Sequence, residues 1–181
     1  KCILTKKDHK TGTDRIFEAY QELRDDSIEY VINLQGDEPM LDIEDVTNLL
    51  KKTIKKKSKI STLACQIEDE KFFLNKNIVK VTTEEELHQN NLSIASSFTR
   101  EIKNTQKNIY HHIGIYIFNV SYLEKFVQLE QTQNEKSQKL EQLRLMDNNI
   151  EINVGLAKTR PIGVDTTEDY LEIKKIMEYK N

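Results

Sequence analysis

The sequence predicts an α/β fold: a mixed, mainly parallel sheet with helices on both faces and an antiparallel excursion in its middle. Three observations carry that expectation. Short β-branched runs alternate with amphipathic helical runs. Two strand-like runs in the middle are separated by a polar turn. The C-terminal stretch repeats the opening order of strand, loop and helix. With 181 residues, 37% of them hydrophobic, residues 1–181 are expected to form a single domain around one core.

The first element is a strand at Cys2 to Leu4. A chain that enters a strand at once, without Met, is expected to be the larger C-terminal part of a longer domain. A helix follows from about Asp14 to Leu23, with Ile16, Phe17, Tyr20 and Leu23 on one face and Thr11 and Asp14 in capping-box spacing at its start. Tyr30 to Leu34 reads as a strand, Ile43 to Lys55 as a helix whose end carries the lysine run Lys51 to Lys59, and Ile60 to Cys65 as a strand. Ile78 to Thr82 and Leu92 to Phe98 form a hairpin across the polar turn Glu84 to Asn91. After a polar loop, Lys103 to Asn108, the strand Tyr110 to Phe118 leads into the helix Ser121 to Leu129, and a helix from Glu135 to Met146 comes next. Strand Ile150 to Gly155, loop Lys158 to Asp165 and a helix opened by Thr166, with Asp169 three residues on, complete the pattern.

Composition narrows the function. Lys+Arg 27 against Asp+Glu 30 give no basic field able to neutralise a phosphate backbone, which excludes general nucleic-acid binding. The apolar runs are too short for a membrane span, so a cytoplasmic protein without membrane insertion is expected. Cys2 and Cys65 fit no metal-ligand spacing and are expected to be buried, reduced thiols. The few arginines, Arg15, Arg24, Arg100, Arg144 and Arg160, are the side chains suited to forked recognition of carboxylate or phosphate.

Five segments carry chemistry. VINLQGDEPML, Val31 to Leu41, places Gln35, Gly36, Asp37, Glu38 and Pro39 at the C-terminal edge of a strand, where open α/β sheets bind ligands. Gly36 permits close backbone approach and Asp37 supplies a hard oxygen for Mg²⁺, although the same residues also build an ordinary turn. DHKTGTDR, Asp8 to Arg15, and GVDTTEDY, Gly163 to Tyr170, set hydroxyls, Gly12 and Asp165 before helix N-termini, which suits either an anion or a simple cap. YHHIGIY, Tyr110 to Tyr116, with KLEQLR, Lys139 to Arg144, offers imidazole, carboxylate and amide groups to a polyhydroxylated substrate. Adjacent His111 and His112 point to opposite sheet faces, so one of them at most is expected at a given site.

Taken in order, TKKDHKTGTDR, VINLQGDEPM, SSFTRE, YHHIGIYIF, LEQLR and GVDTTEDY resemble the 3-deoxy-manno-octulosonate cytidylyltransferases, the CMP-Kdo synthetases, over essentially the whole chain. The resemblance implies a nucleotidyltransferase, Rossmann-like α/β fold and a homodimer. It implies Mg²⁺-dependent cytidylyl transfer from CTP to 3-deoxy-D-manno-octulosonate (Kdo), giving CMP-Kdo and pyrophosphate for lipopolysaccharide biosynthesis. By motif, Thr11 and Gly12 would lie by the cytidine and Gln35 near nucleotide and sugar. Asp37 and Asp165 would be the catalytic, metal-side carboxylates. Arg100, His112, Tyr116, Glu141 and Gln142 would surround the sugar acid, with Arg100 against its carboxylate.

The sequence departs from that family pattern in three places. The Ser-x-Arg-Leu-Pro-Gly-Lys type loop that cradles the triphosphate is not among these residues, and low activity of the chain alone is expected from that. SFTREIKN lacks the Pro-rich continuation common after the arginine, and His111 stands where an arginine is common. Alternatives are CMP activation of 8-amino-Kdo or sialic acid, or a non-catalytic nucleotide- or sugar-binding module. The presence of both Asp37 and Asp165 favours the enzyme.

Overall fold

The computed structural model describes every residue except 1, 68, 103–106, 162, 165, 180 and 181. In chain order its elements are α1 (Gly12–Leu23), β1 (Tyr30–Asn33), α2 (Ile43–Lys56), β2 (Ile60–Cys65), α3 (Glu70–Leu74), β3 (Lys80–Thr83) and β4 (Leu92–Thr99). They continue with β5 (Ile109–Asn119), α4 (Val120–Gln128), α5 (Gln133–Gln138), α6 (Leu143–Asp147), β6 (Asn153–Leu156) and α7 (Thr167–Tyr179). Helix starts follow side-chain chemistry: Thr11 caps α1, Asp42 caps α2, Asn119 caps α4, and Thr132 with Glu135 forms a capping box on α5.

Two expected elements differ, and one helix was not expected. Residues 2–10 form no strand; Thr5 and Lys6 are instead held to α1 by Arg15 Nη1, which donates to Thr5 Oγ1 at 2.6 Å and to the Lys6 carbonyl at 2.9 Å. Cys2 is exposed there, contrary to the expected burial, while Cys65 is buried. The helix expected from Glu135 to Met146 is two short helices. Lys139 takes a left-handed conformation with φ 54°, ending α5, and a turn through Leu140 to Gln142 precedes α6. The short α3 lies in a stretch whose sequence gives five residues no room to show helical periodicity.

The sheet is mixed, but its described pairings are mostly antiparallel. β5 pairs antiparallel with β1, β2 and β3, and β4 pairs antiparallel with β3 and β6; β2–β6 is the one parallel pairing among the described residues. Strands β1, β2, β3 and β6 share one direction, as the βαβ rhythm suggests. The antiparallel excursion is larger than expected because the 11-residue β5 inserts between β1 and β2 and reaches β3 as well. The expected hairpin is β3–β4.

These pairings position the site. β2 takes one edge of β5 over His111 to Phe118, so β1, paired at Tyr116 to Asn119, and β3, paired at Ile109 to His111, share the other. A hydrogen bond from His112 N–H to the Val79 carbonyl extends the β3 side. Between the two partners, the edge at 113–115 is left without a strand. The β2 pairing breaks at the same point, jumping from Thr62↔Tyr116 to Leu63↔Ile113, so Gly114 and Ile115 bulge.

Helices cover both sheet faces. Ile16, Phe17 and Tyr20 of α1 pack with Leu123 and Phe126 of α4 and with Leu143 and Leu145 of α6 over Tyr110, Tyr116 and Phe118. On the other face, Val46 and Leu49 of α2 pack on Leu63, Ile113, Ile115 and Ile117.

Candidate active site

An open cleft of about 1250 Å³ lies where β1 and β3 part along the edge of β5, at the C-terminal end of β1. Gly12, Gln35, Asp37, Arg100, His112, Tyr116, Glu141 and Gln142 all line it. Eight of the ten residues expected from sequence are therefore brought together from five separate elements and loops. Thr11 is not among the lining residues. It is the α1 cap, its hydroxyl donating to Asp14 Oδ2 at 2.9 Å and accepting the Asp14 N–H at 3.3 Å. Asp165 lies outside the described residues.

Gln35 is fixed by the bulge. Its Nε2 donates to the Gly114 carbonyl at 2.8 Å, and a Cβ at position 114 would come within 2.7 Å of that same nitrogen. Glycine is thus required for the amide to lie against the strand. Glu141 reaches the cleft from the turn before α6 and is held by Thr13, whose hydroxyl donates at 2.7 Å. Had Glu135 to Met146 continued as one helix, that turn would not exist.

Both histidines line the cleft, a correction to the expectation that one at most would do so. The alternation argument concerns the faces of a sheet, whereas this cleft opens on an edge. Thr62 Oγ1 donates to the Ile115 carbonyl at 2.6 Å, so it accepts from His112 Nε2 at 2.9 Å; the ring proton sits on Nε2 and Nδ1 is an acceptor. His112 packs edge-on against Phe98, with ring centroids 5.0 Å apart. Burial, with His111 beside it, pushes its pKa down to about 3. Burial and then the charges of Arg160 and Lys80 push His111 down to about 4. Tyr116 is held far above the ordinary phenol range by burial and by the Glu141 charge, so it stays a hydrogen-bond donor. Its hydroxyl is buried and has no protein partner among the described residues.

The neutral histidines give an expected outcome in acid. Both bind protons in the unfolded chain below pH 6.5 but not in the folded one until about 4 and 3, so stability falls as pH drops through that window. Thermal melts at intervals from pH 6.5 to 4 should show a steady fall in Tm that is shallower in His112→Gln. A slope identical in wild type and variant would contradict the buried neutral state of His112.

Five cations line the same cleft: Arg15, Lys71, Arg100, Lys139 and Arg160. Arg100 is oriented by main-chain carbonyls, with Nη1 donating to Lys76 and Asn77 at 3.2 and 3.3 Å and Nε to Gln138 at 3.4 Å. Arg160, missed by the motif reading, stacks its guanidinium 3.9 Å from the Phe72 ring of α3. Asp37 and Glu38 are the acidic counterparts at the end of β1, and the Asp37 carbonyl accepts the Val164 N–H at 2.8 Å.

The cytidylyltransferase family model matches residues 1–152. The chain belongs to the cytidylyltransferase family. It is 40% identical to the 3-deoxy-manno-octulosonate cytidylyltransferase of Thermodesulfovibrio yellowstonii, over 93% of this chain and 70% of that protein. It is 37% identical to the enzyme of the same name from Bartonella henselae, over 97% of this chain and 72% of that one. Among solved structures, CMP:2-keto-3-deoxy-manno-octonic acid synthetase complexed with CTP superposes with a TM-score of 0.84 at 31% identity, over 99% of this chain and 73% of that one. An apo UDP-glucose pyrophosphorylase shares the fold at a TM-score of 0.69 and 14% identity, over 97% of this chain and 62% of that one. The cleft of this cytidylyltransferase is thus built on a mixed-sheet nucleotidyltransferase scaffold.

Proposed function

We propose that this cytidylyltransferase transfers the cytidylyl group of CTP to Kdo, giving CMP-Kdo and pyrophosphate. The observation that carries the reading is the convergence of Gly12, Gln35, Asp37, Arg100, His112, Tyr116, Glu141 and Gln142 on one cleft. At about 1250 Å³ the cleft exceeds the roughly 300–1,000 Å³ of a typical small-molecule pocket, which suits two substrates side by side. The anomeric hydroxyl oxygen of the sugar would attack the α-phosphorus as the bond to the β-phosphate oxygen breaks.

In this reading Arg100 takes the sugar carboxylate in a charge-assisted pair. Tyr116 donates to a sugar oxygen, which supplies the partner its buried hydroxyl lacks, and His112, Glu141 and Gln142 bond the remaining hydroxyls. Gly12 and Gln35 lie by the nucleotide, with Thr11 acting through the α1 cap. Two anionic substrates meet a wall carrying five cations, and the neutral histidines leave room for hydroxyl recognition.

Mg²⁺ fits the donor chemistry at the end of β1. Among the described residues no group of three or more His, Cys, Asp or Glu could cage a metal alone, and Mg²⁺ commonly takes one or two carboxylates together with substrate phosphates. Asp37 and, by the family resemblance, Asp165 would hold it. When bound it would offset charge on the phosphates. No helix among the described residues is long and apolar enough to cross a membrane. A cytoplasmic homodimer serving lipopolysaccharide biosynthesis is the setting that the resemblance implies.

Pyrophosphate release by the product of the complete reading frame, with CTP, Mg²⁺ and a panel of Kdo, 8-amino-Kdo and sialic acid, tests the reading. The highest kcat/KM is expected with Kdo. A preference for either of the other sugars would overturn the substrate assignment.

A further inference from the structure

Lys80 is a charged side chain only 1% exposed, placed on β3 opposite Thr99 of β4 and His111 of β5. Its ammonium donates to the Asn75 carbonyl at 2.5 Å and to the Arg100 carbonyl at 2.9 Å. Asn75 caps the C-terminus of α3, and its side chain accepts the Asn77 N–H at 2.9 Å, closing a tight turn. The next two carbonyls of that turn, Lys76 and Asn77, are the ones that receive Arg100 Nη1. One buried cation therefore grips both ends of the arrangement, the main chain of Arg100 and the turn that aims its guanidinium.

An ammonium out of water is destabilising unless well compensated, and an apolar side chain of similar volume often serves stability better. Burial and then the Arg100 charge disfavour the Lys80 ammonium, against a smaller attraction from Glu101. A lysine here is thus poorly explained by packing and well explained by the geometry it enforces. We propose that Lys80 is a positioning residue for the sugar end of the cleft, holding the Asn75–Asn77 turn and the Arg100 main chain so that the Arg100 guanidinium is set for an anionic substrate. The proposal rests on the reading of Arg100 as the partner of the sugar carboxylate. Lys80 touches no substrate and acts through Arg100.

The test uses Lys80→Met, which keeps the unbranched apolar stem of the side chain and removes its charge, beside Arg100→Ala and the double variant. Two readouts are needed. The first is the Nε–Hε resonance of Arg100, assigned by its absence in Arg100→Ala, observed without substrate. The second is steady-state kinetics of the complete reading-frame product. In Lys80→Met the Arg100 resonance should shift and exchange faster with solvent. The KM for the acidic sugar should rise about tenfold or more, as expected for a lost charged hydrogen-bond network, with the KM for CTP little changed. The double variant should be no weaker than Arg100→Ala alone. An unmoved Arg100 resonance, or losses that add in the double variant, would overturn the proposal. Should Arg100→Ala leave the sugar KM unchanged, the carboxylate reading of Arg100 fails while the resonance still decides whether Lys80 positions it. If Lys80→Met does not fold, Lys80→Gln carries the same expectations, and loss of fold in both would assign Lys80 a purely structural part.

Discussion

Replacing Asp37 by Asn should lower turnover by roughly 10²-fold or more and leave the fold unchanged, the scale of a lost electrostatic contact to the reacting phosphates. Asp37 stands exposed just beyond β1 and lines the cleft. What it gives to the fold is a main-chain carbonyl, which accepts the Val164 N–H at 2.8 Å and is retained in the variant. The substitution keeps size and removes charge, so it tests the carboxylate alone. Turnover of the complete reading-frame product measured against Mg²⁺ concentration should also show a shift to higher metal demand. Near-normal turnover in an Asp37→Asn protein with an unaltered melt would contradict the metal-side role.

The largest effect on stability is expected at Arg144. Its side chain is 1% exposed, donates from Nε and Nη2 to Glu135 at 2.8 and 2.6 Å, and lies 4.1 Å from the centroid of the Phe126 ring. Asp14 of α1 is 3.8 Å from its Nη1. Arg144→Met leaves the Glu135 carboxylate, itself 3% exposed, without its cation, which typically destabilises by about 3–5 kcal/mol. Glu135→Gln in the same chain should restore part of the loss, because the stranded charge is then gone. Urea denaturation of the single and double variants measures both. A single-variant loss under about 1 kcal/mol, the scale of a surface pair, would contradict the buried-pair account. The site depends on this pair as well, since it joins the two short helices whose connecting turn carries Glu141 and Gln142.

Local patterns in the sequence were informative where local physics decides. The β-branched run Ile60 to Cys65 became β2 with the same bounds, and the Thr11 cap opened α1 as its spacing with Asp14 suggests. Gly12, Gln35, Asp37, Arg100, Glu141 and Gln142 lie beyond a strand end, at a helix start or in a turn, positions that sequence reveals, whereas His112 and Tyr116 lie within β5. What escaped depends on contacts distant in sequence. Strand direction and neighbour order follow from where β5 inserts, and nothing within Tyr110 to Phe118 encodes its partners. The helix break at Lys139 uses a left-handed conformation without glycine, so no breaker residue marks it. Arg144 is one of the arginines suited to forked recognition of a carboxylate, but only the fold shows that this carboxylate is Glu135 and that Arg144 and Lys80 are both enclosed. His111 entered the cleft because the cleft opens on a strand edge, a fact of topology.

Attack at the α-phosphorus by an acidic sugar held in this cleft is tested most directly by label transfer. The complete reading-frame product should be incubated with Kdo, Mg²⁺ and CTP labelled at the α-phosphorus. All transferred label should appear in CMP-Kdo, with unlabelled pyrophosphate released in equal amount and neither product formed when the sugar is omitted. Label remaining in a nucleoside diphosphate, or pyrophosphate formed at the same rate without the sugar, would contradict it.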